Sequence, residues 1–279
     1  MSDLFIHDLA EQTGLLERDT IQMLLDDGTE NAKRILLRNL LGSGSGAANR
    51  LAYREEITEI TEEMWASIAD GTFDKVHVGM HYTAPSGRKY WFADANYFKQ
   101  HGDNEVTFNH MVIVEDECQR TAQHQTSNVT TGGATSSLIY TNTLPAYQSE
   151  LEADFGADHI KEVRLLLCNG VSSGQPSGWA WIGKKSFILN MCMVFGHYLQ
   201  YSGNTGEMFN GGNRVRQLAL FQAMPETILS RLAETQARQW YWLDDVASSA
   251  YFAFVNGGGY ADNGSASTNH GVRRAFVIG

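Results

Sequence analysis

The stretch HVGMH sets His77 and His81 four residues apart, a spacing that on a helix presents two imidazoles to one metal ion. Here KVHVGMHY alternates as a strand, and no glutamate stands between the histidines as in HExxH. Both therefore read as structural or surface histidines. His110, His124, His159, His197 and His270 have no cysteine or carboxylate at ligand spacing. Cys118, Cys168 and Cys192 are odd in number and far apart, which fits buried free thiols rather than a disulfide framework or a zinc site. TTGGATSS is glycine-rich like a phosphate loop but lacks the GK[ST] ending, so no lysine reaches a phosphate and a structural loop is expected. Asp244 and Asp245 leave room for a structural calcium ion, without EF-hand spacing, and equally suit a polar end to the WYW run. No GxSxG elbow or other triad signature is present. The reading is a non-enzyme, with no catalytic residue, no metal ligand and no cofactor beyond that calcium.

Net charge narrows the partners. At −11 the chain repels nucleic-acid phosphates and anionic lipid. Its short basic pairs, Lys184-Lys185 and Arg273-Arg274, read as solvated surface. The longest apolar stretch, Phe187 to Leu199, is too short to span a bilayer and is interrupted by Asn190, Gly196 and His197. The opening MSDLFIHDLAEQ does not read as a secretory signal. No nucleic-acid partner and no membrane insertion are expected.

The elements that would position any site fall into two parts. Residues 1–48 predict short helices: Ile21, Leu24 and Leu25 share a face closed by Gly28, and Ile35, Leu36, Leu37, Leu40 and Leu41 form a broad apolar face. Helices this short need a partner surface, so the segment is assigned to assembly or attachment. GSGSGAAN, residues 42–49, reads as a linker. Residues 52–279 form the main domain. Thr61 is a helix N-cap with Glu62 and Glu63 in the first turn, and Gly71 ends that helix. KVHVGMHY and KYWFADANYF predict strands joined by APSG, and FNHMVIVED a further strand. A helix is expected over 144–155, and EVRLLLCN, WAWIG and KSFILNMCMVFG as buried elements. Mixed short strands with a few helices define an α+β domain.

The last segment, QWYWLDDVASSAYFAFVNGGGYADNGSASTNHGVRRAFVIG, differs from the rest. It has no Lys, Arg or Glu from Tyr241 to Val272. Alternation in AYFAFV sends Phe252 and Phe254 to the core and turns Tyr251 and Ala253 outward. GGG at 257–259 makes a turn, YADNGSASTNHG is an exposed stretch, and VRRAFVIG returns as a strand. Tyr offers contact area at low entropic cost, while Ser, Gly and Asn adapt their hydrogen bonds. The composition suits a binding face, and it also suits an ordinary polar hairpin loop. As a binding face its anchors are Trp242, Tyr251 and Tyr260, flanked by Ser248, Ser249, Ala253, Asn256, Asp262, Asn263, Ser265, Ser267 and Asn269.

This segment resembles the end of bacteriophage domains of the formylglycine-generating-enzyme-like C-type lectin fold. These have a W-x-W-L start, an aromatic strand, a Tyr/Asn/Ser/Gly stretch and a G-V-R-P-x-F close. The resemblance extends over 52–279 through ADGTFDKVHVGMHY, FNHMVIVED, NVTTGGATSS, VRLLLCNG, MVFGHYLQYS and QLALFQAMPE. Arg274 replaces the usual proline, and Asp244 the usual arginine. The enzyme cousins use a late cysteine pair, and no cysteine follows Cys192 here. The resemblance implies a C-type lectin-like α+β domain in a virion structural protein, made in the host bacterial cytoplasm. It would bind a host-surface protein or glycan, as in receptor binding by a tail fibre. It would contact other virion proteins through the N-terminal helices and form a homo-oligomer, a trimer by analogy. Alternatives are a capsid-decorating or head-fibre protein and, from another class, a formylglycine-generating-type oxidase. Some such domains are diversified by retroelements, and the span from Ser248 to Asn269 has a fitting composition.

Overall fold

A computed structural model describes Asn49, residues 52–197 and residues 215–279. The expected N-terminal helical segment, 1–48, lies outside the described residues.

In chain order the main elements are β1 (Glu55–Ile57), α1 (Glu62–Ala69), β2 (Met80–Thr83), β3 (Lys89–Ala95), β4 (Met111–Glu115), β5 (Arg120–Ala122), α2 (Gln148–Phe155) and β6 (Ile160–Lys161). Then come β7 (Val163–Ser172), β8 (Gln175–Lys184), β9 (Ser186–Ile188), α3 (Met191–Phe195), α4 (Ala219–Ala223), β10 (Ser230–Arg231), β11 (Arg238–Gln239), β12 (Tyr241–Val246), β13 (Tyr251–Val255), β14 (Ala261–Ser265), β15 (His270–Val272) and β16 (Arg274–Ile278). The architecture is mixed α+β, with several sheets.

The largest sheet runs β1-β2-β3-β4-β16-β6, and β9 also pairs with β16. The last strand of the chain thus lies inside the sheet. Residues of β3, β4 and β16 are buried on both faces. Trp91, Val112, Val114, Ala275 and Val277 enter one hydrophobic cluster, and Tyr90, Phe92, Met111, Ile113, Phe276 and Ile278 the other. The period-two pleat produces this split. Ile68 of α1 with Leu151 and Phe155 of α2 cover the second cluster. A five-stranded sheet, β14-β13-β12-β15-β5, carries the C-terminal segment, and β7-β8 and β10-β11 are separate two-stranded ribbons.

Local chemistry explains several boundaries. Thr61 caps α1 through its hydroxyl oxygen, which accepts the Met64 amide at 3.3 Å, and Glu62 and Glu63 occupy the first turn. Gly71 follows with φ +77°. KVHVGMHY is strand only from Met80. Gly79 breaks it at φ +94°, where a Cβ would lie 2.4 Å from the Tyr53 carbonyl oxygen. The 144–155 helix is interrupted at Tyr147 and preceded by a π turn over Ile139–Thr143. KSFILNMCMVFG divides into β9 and α3, with the Asn190 side chain accepting the Met193 amide at 2.8 Å.

The Arg273-Arg274 pair is not solvated surface. Arg273 is 0% and Arg274 3% exposed. The Arg274 guanidinium donates to Glu115 Oε1 at 2.9 and 2.6 Å, and its backbone amide to Glu115 Oε2 at 2.9 Å. Arg273 donates to the Glu115 and Thr227 carbonyls at 2.7 and 2.9 Å. Arg274 and Glu115 thus form a buried ion pair at the entry to β16.

Candidate ligand-binding face

The face expected from the sequence centres on the β13-β14 hairpin, which forms one edge of the five-stranded sheet. YADNGSASTNHG is not simply an exposed loop: Ala261–Ser265 pairs as β14, with Tyr251 opposite Ser265 and Val255 opposite Ala261. The turn between the strands is shaped by Asn256. Its Oδ1 accepts the Gly258 and Tyr260 amides at 2.9 and 3.1 Å, and its carbonyl accepts the Gly259 amide at 2.9 Å.

Tyr251 and Tyr260 are exposed, at 41% and 71%. Ser249, Asn263 and Asn269 are also exposed, and Ser248, Asn256, Asp262, Ser265 and Ser267 are half-buried. Trp242 and Ala253 do not belong to the surface. Both are 0% exposed. Trp242 lies on β12, in the middle of the sheet, paired with Phe254, and its indole N–H donates to the Ala122 carbonyl at 2.8 Å. Ala253 is covered because this sheet is packed on both faces, so alternation turns neither side of β13 to solvent. Phe252 stacks on His124 at 3.8 Å with an interplanar angle of 7°, while Ala253 and Val255 are also fully buried.

The two exposed tyrosines are not adjacent. Tyr251 stands at one end of the hairpin and Tyr260 at the other, about 14 Å of strand apart at some 3.4 Å per residue. Around Tyr251 lie Ser248, Ser249, Ser265 and Ser267, with Asn128 from a distant segment accepting from the Ser267 hydroxyl. Around Tyr260 lie the glycine turn and Trp240, whose Nε1 would be 3.1 Å from a Cβ on Gly257. Trp240 is 46% exposed and stacks on Phe254 at 5.2 Å. Sequence reasoning singled out Trp242 and missed Trp240. In WYW both point to the same side, and only the distance from the sheet centre separates them.

The other sequence candidates are engaged in contacts within the fold. His81 is held between Glu56 at 2.8 Å and Asp116 at 3.0 Å. Its burial opposes protonation, but the two carboxylates outweigh this and raise its pKa. His77 stacks on Tyr53 at 4.0 Å. Burial lowers the pKa of His124 to about 3, and of His110 and His270 to about 4. In TTGGATSS a Cβ on Gly133 would sit 2.3 Å from the Cys168 carbonyl oxygen, so the glycine permits close approach to β7. Burial pushes the thiol of Cys118 up to about 12, Cys168 to about 11 and Cys192 to about 12. Asp245 accepts the Met191 amide at 2.6 Å and Asp244 the Tyr140 hydroxyl at 3.1 Å. Burial raises both carboxyls, Asp245 to about 7. Among the described residues no group of three His, Cys, Asp or Glu is placed to hold a metal ion, and no helix is long and apolar enough to cross a membrane.

Compared with known proteins, the chain matches no family model, no curated protein and no solved structure.

Proposed function

We propose that the chain is a bacteriophage virion structural protein whose C-type lectin-like domain, residues 52–279, displays a ligand-binding face for host-surface adhesion. The observation that carries this reading is the β13-β14 hairpin. It is an edge hairpin with exposed tyrosines at both ends and small polar side chains between them, backed by the buried Trp242, Phe252 and Phe254. Rigid support beneath adaptable polar groups and aromatic anchors is the physics of a displayed recognition surface. The motif resemblance over 52–279 supports the lectin-like fold and the virion setting. The N-terminal segment, 1–48, would mount the domain on other virion proteins as a homo-oligomer, by analogy a trimer.

A position on the capsid, as a decorating or head-fibre protein, uses the same face. The oxidase alternative is disfavoured: oxidase chemistry of the cousin type needs a reactive late cysteine pair, whereas these three thiols are buried and held protonated. The test is competition. Purified full-length chain added to host cells should block adsorption of the phage that carries it. Unchanged adsorption at saturating protein would contradict the reading.

A further inference from the structure

Beside the Tyr260 end of the hairpin a cleft of about 360 Å³ opens, within the size range of small-molecule sites. Its wall includes the β10-β11 ribbon, in which Arg231 and Arg238 stand directly opposite each other. Like charges in that register repel. In a chain of net charge −11 the two arginines could readily have been given carboxylate partners. Among the described residues neither has an ion-pair partner. Arg231 donates to the Gln236 carbonyl at 2.9 Å and Arg238 to the Gly257 carbonyl at 3.1 Å, which leaves most of each guanidinium fork free. Lys89 lines the same cleft, 3.8 Å from Glu117.

The same cleft is lined by Arg54 and by the carboxylates Asp116, Glu117 and Glu226. Paired arginines favour a planar oxyanion held bidentately. Arg54 is paired with Glu56, Lys89 with Glu117, and Asp116 with His81 and Trp91. Among the described residues the uncommitted charges of the cleft are therefore the two arginines and Glu226, which disfavours a multiply charged ligand and leaves Glu226 to accept hydrogen bonds from hydroxyls. Gly257, which accepts from Arg238, also lies against the exposed Trp240 ring, whose flat apolar surface suits the CH face of a sugar.

We propose that this cleft binds a singly charged, hydroxyl-rich carboxylate, such as a hexuronic acid unit of an acidic glycan, with Arg231 and Arg238 gripping its carboxylate. The site extends recognition beyond the C-terminal hairpin to residues of the preceding ribbon. It does not depend on the virion assignment, because binding is read on the isolated full-length chain while that assignment is read by adsorption, and each can fail alone.

The experiment is NMR or calorimetric titration of the full chain with glucuronate, glucose and inorganic phosphate. It is repeated on R231Q, R238Q and R164Q; the last removes an arginine paired with Asp103, outside the cleft. Saturable glucuronate binding is expected, at least tenfold tighter than glucose or phosphate. R231Q and R238Q should each weaken it about tenfold with unchanged melting, and R164Q should leave it intact. Equal binding of glucose and glucuronate, or full binding by R231Q and R238Q, would overturn the proposal. Tighter binding of phosphate would overturn the carboxylate-sugar assignment.

Discussion

Phe252→Ala beside Tyr251→Ala is a sharp test of how β13 is packed, because the two residues are neighbours with opposite surroundings. Phe252 is fully buried, its ring stacked flat on His124 at 3.8 Å. Truncation removes its transfer energy and leaves a cavity, together about 3–5 kcal/mol. At about 2–4 °C per kcal/mol for a domain of this size, the melting temperature should fall by roughly 6–20 °C. Tyr251 is 41% exposed, and its removal should cost no more than about 0.5 kcal/mol. Urea and thermal unfolding of the three proteins give the comparison. A second readout is His124, whose pKa burial now holds down at about 3. Opening a cavity beside it should let water in and move its titration up toward the ordinary histidine range. Loss of less than about 1 kcal/mol from F252A, or an equal loss from Y251A, would refute the packing described for this strand.

Glu115→Ala should destabilise by about 3 kcal/mol, since it removes the main partner of the buried Arg274 guanidinium and leaves Glu150, at 3.3 Å, as its one remaining carboxylate among the described residues; urea unfolding checks this, and R164Q, at a half-buried surface pair, should cost far less. Asp244 and Asp245, their carboxyls raised by burial, bind more protons folded than unfolded, so their contribution falls away as pH rises from the ordinary carboxylate range, up to about 7 for Asp245. His81, also raised, acts in the same direction above about pH 6.5, whereas the lowered His110, His124 and His270 act oppositely until pH passes the unfolded histidine value and are spent by about pH 7.5. Stability should therefore fall above about pH 7, and D245N, which removes one of the two raised carboxyls, should lose less stability than the parent between about pH 4 and pH 8 in melting curves. Deleting residues 1–48 should leave a folded domain that no longer enters particles, as circular dichroism and particle composition would show; failure to fold would move the boundary.

Local signals carried much of the fold. Thr61 with Glu62 and Glu63, the APSG turn and the apolar runs of β3, β4 and β16 each announce their element through nearest neighbours alone. What was illegible depends on partners far away in sequence. Arg273 and Arg274 look like surface charge until Glu115, 159 residues from Arg274, is folded against them. His81 reads from sequence as a structural or surface histidine, but nothing local shows that Glu56 and Asp116 enclose it. Alternation in AYFAFV placed Phe252, Phe254 and Tyr251 on the right sides, yet assigned Ala253 to solvent because it presumes a sheet with one wet face. β14 was missed because ADNGS has almost no β propensity and is held by pairing to β13. The same limit affects the candidate site. Tyr251 and Tyr260 are exposed as the composition suggested, but Trp242 is buried and the exposed indole is Trp240, and nothing local shows that Arg231 and Arg238 face each other.

The central claim is that the C-terminal hairpin is a recognition surface, and phage particles carrying Tyr251→Ala and Tyr260→Ala together test it most directly. Melting of the purified variant and adsorption of the variant particles to host cells are measured side by side. The account predicts melting within about 2 °C of the parent, since both side chains are exposed, and at least a tenfold loss of adsorption, the effect of removing aromatic anchors worth about 2 kcal/mol. Unchanged melting with unchanged adsorption would contradict it and leave the hairpin an ordinary polar surface.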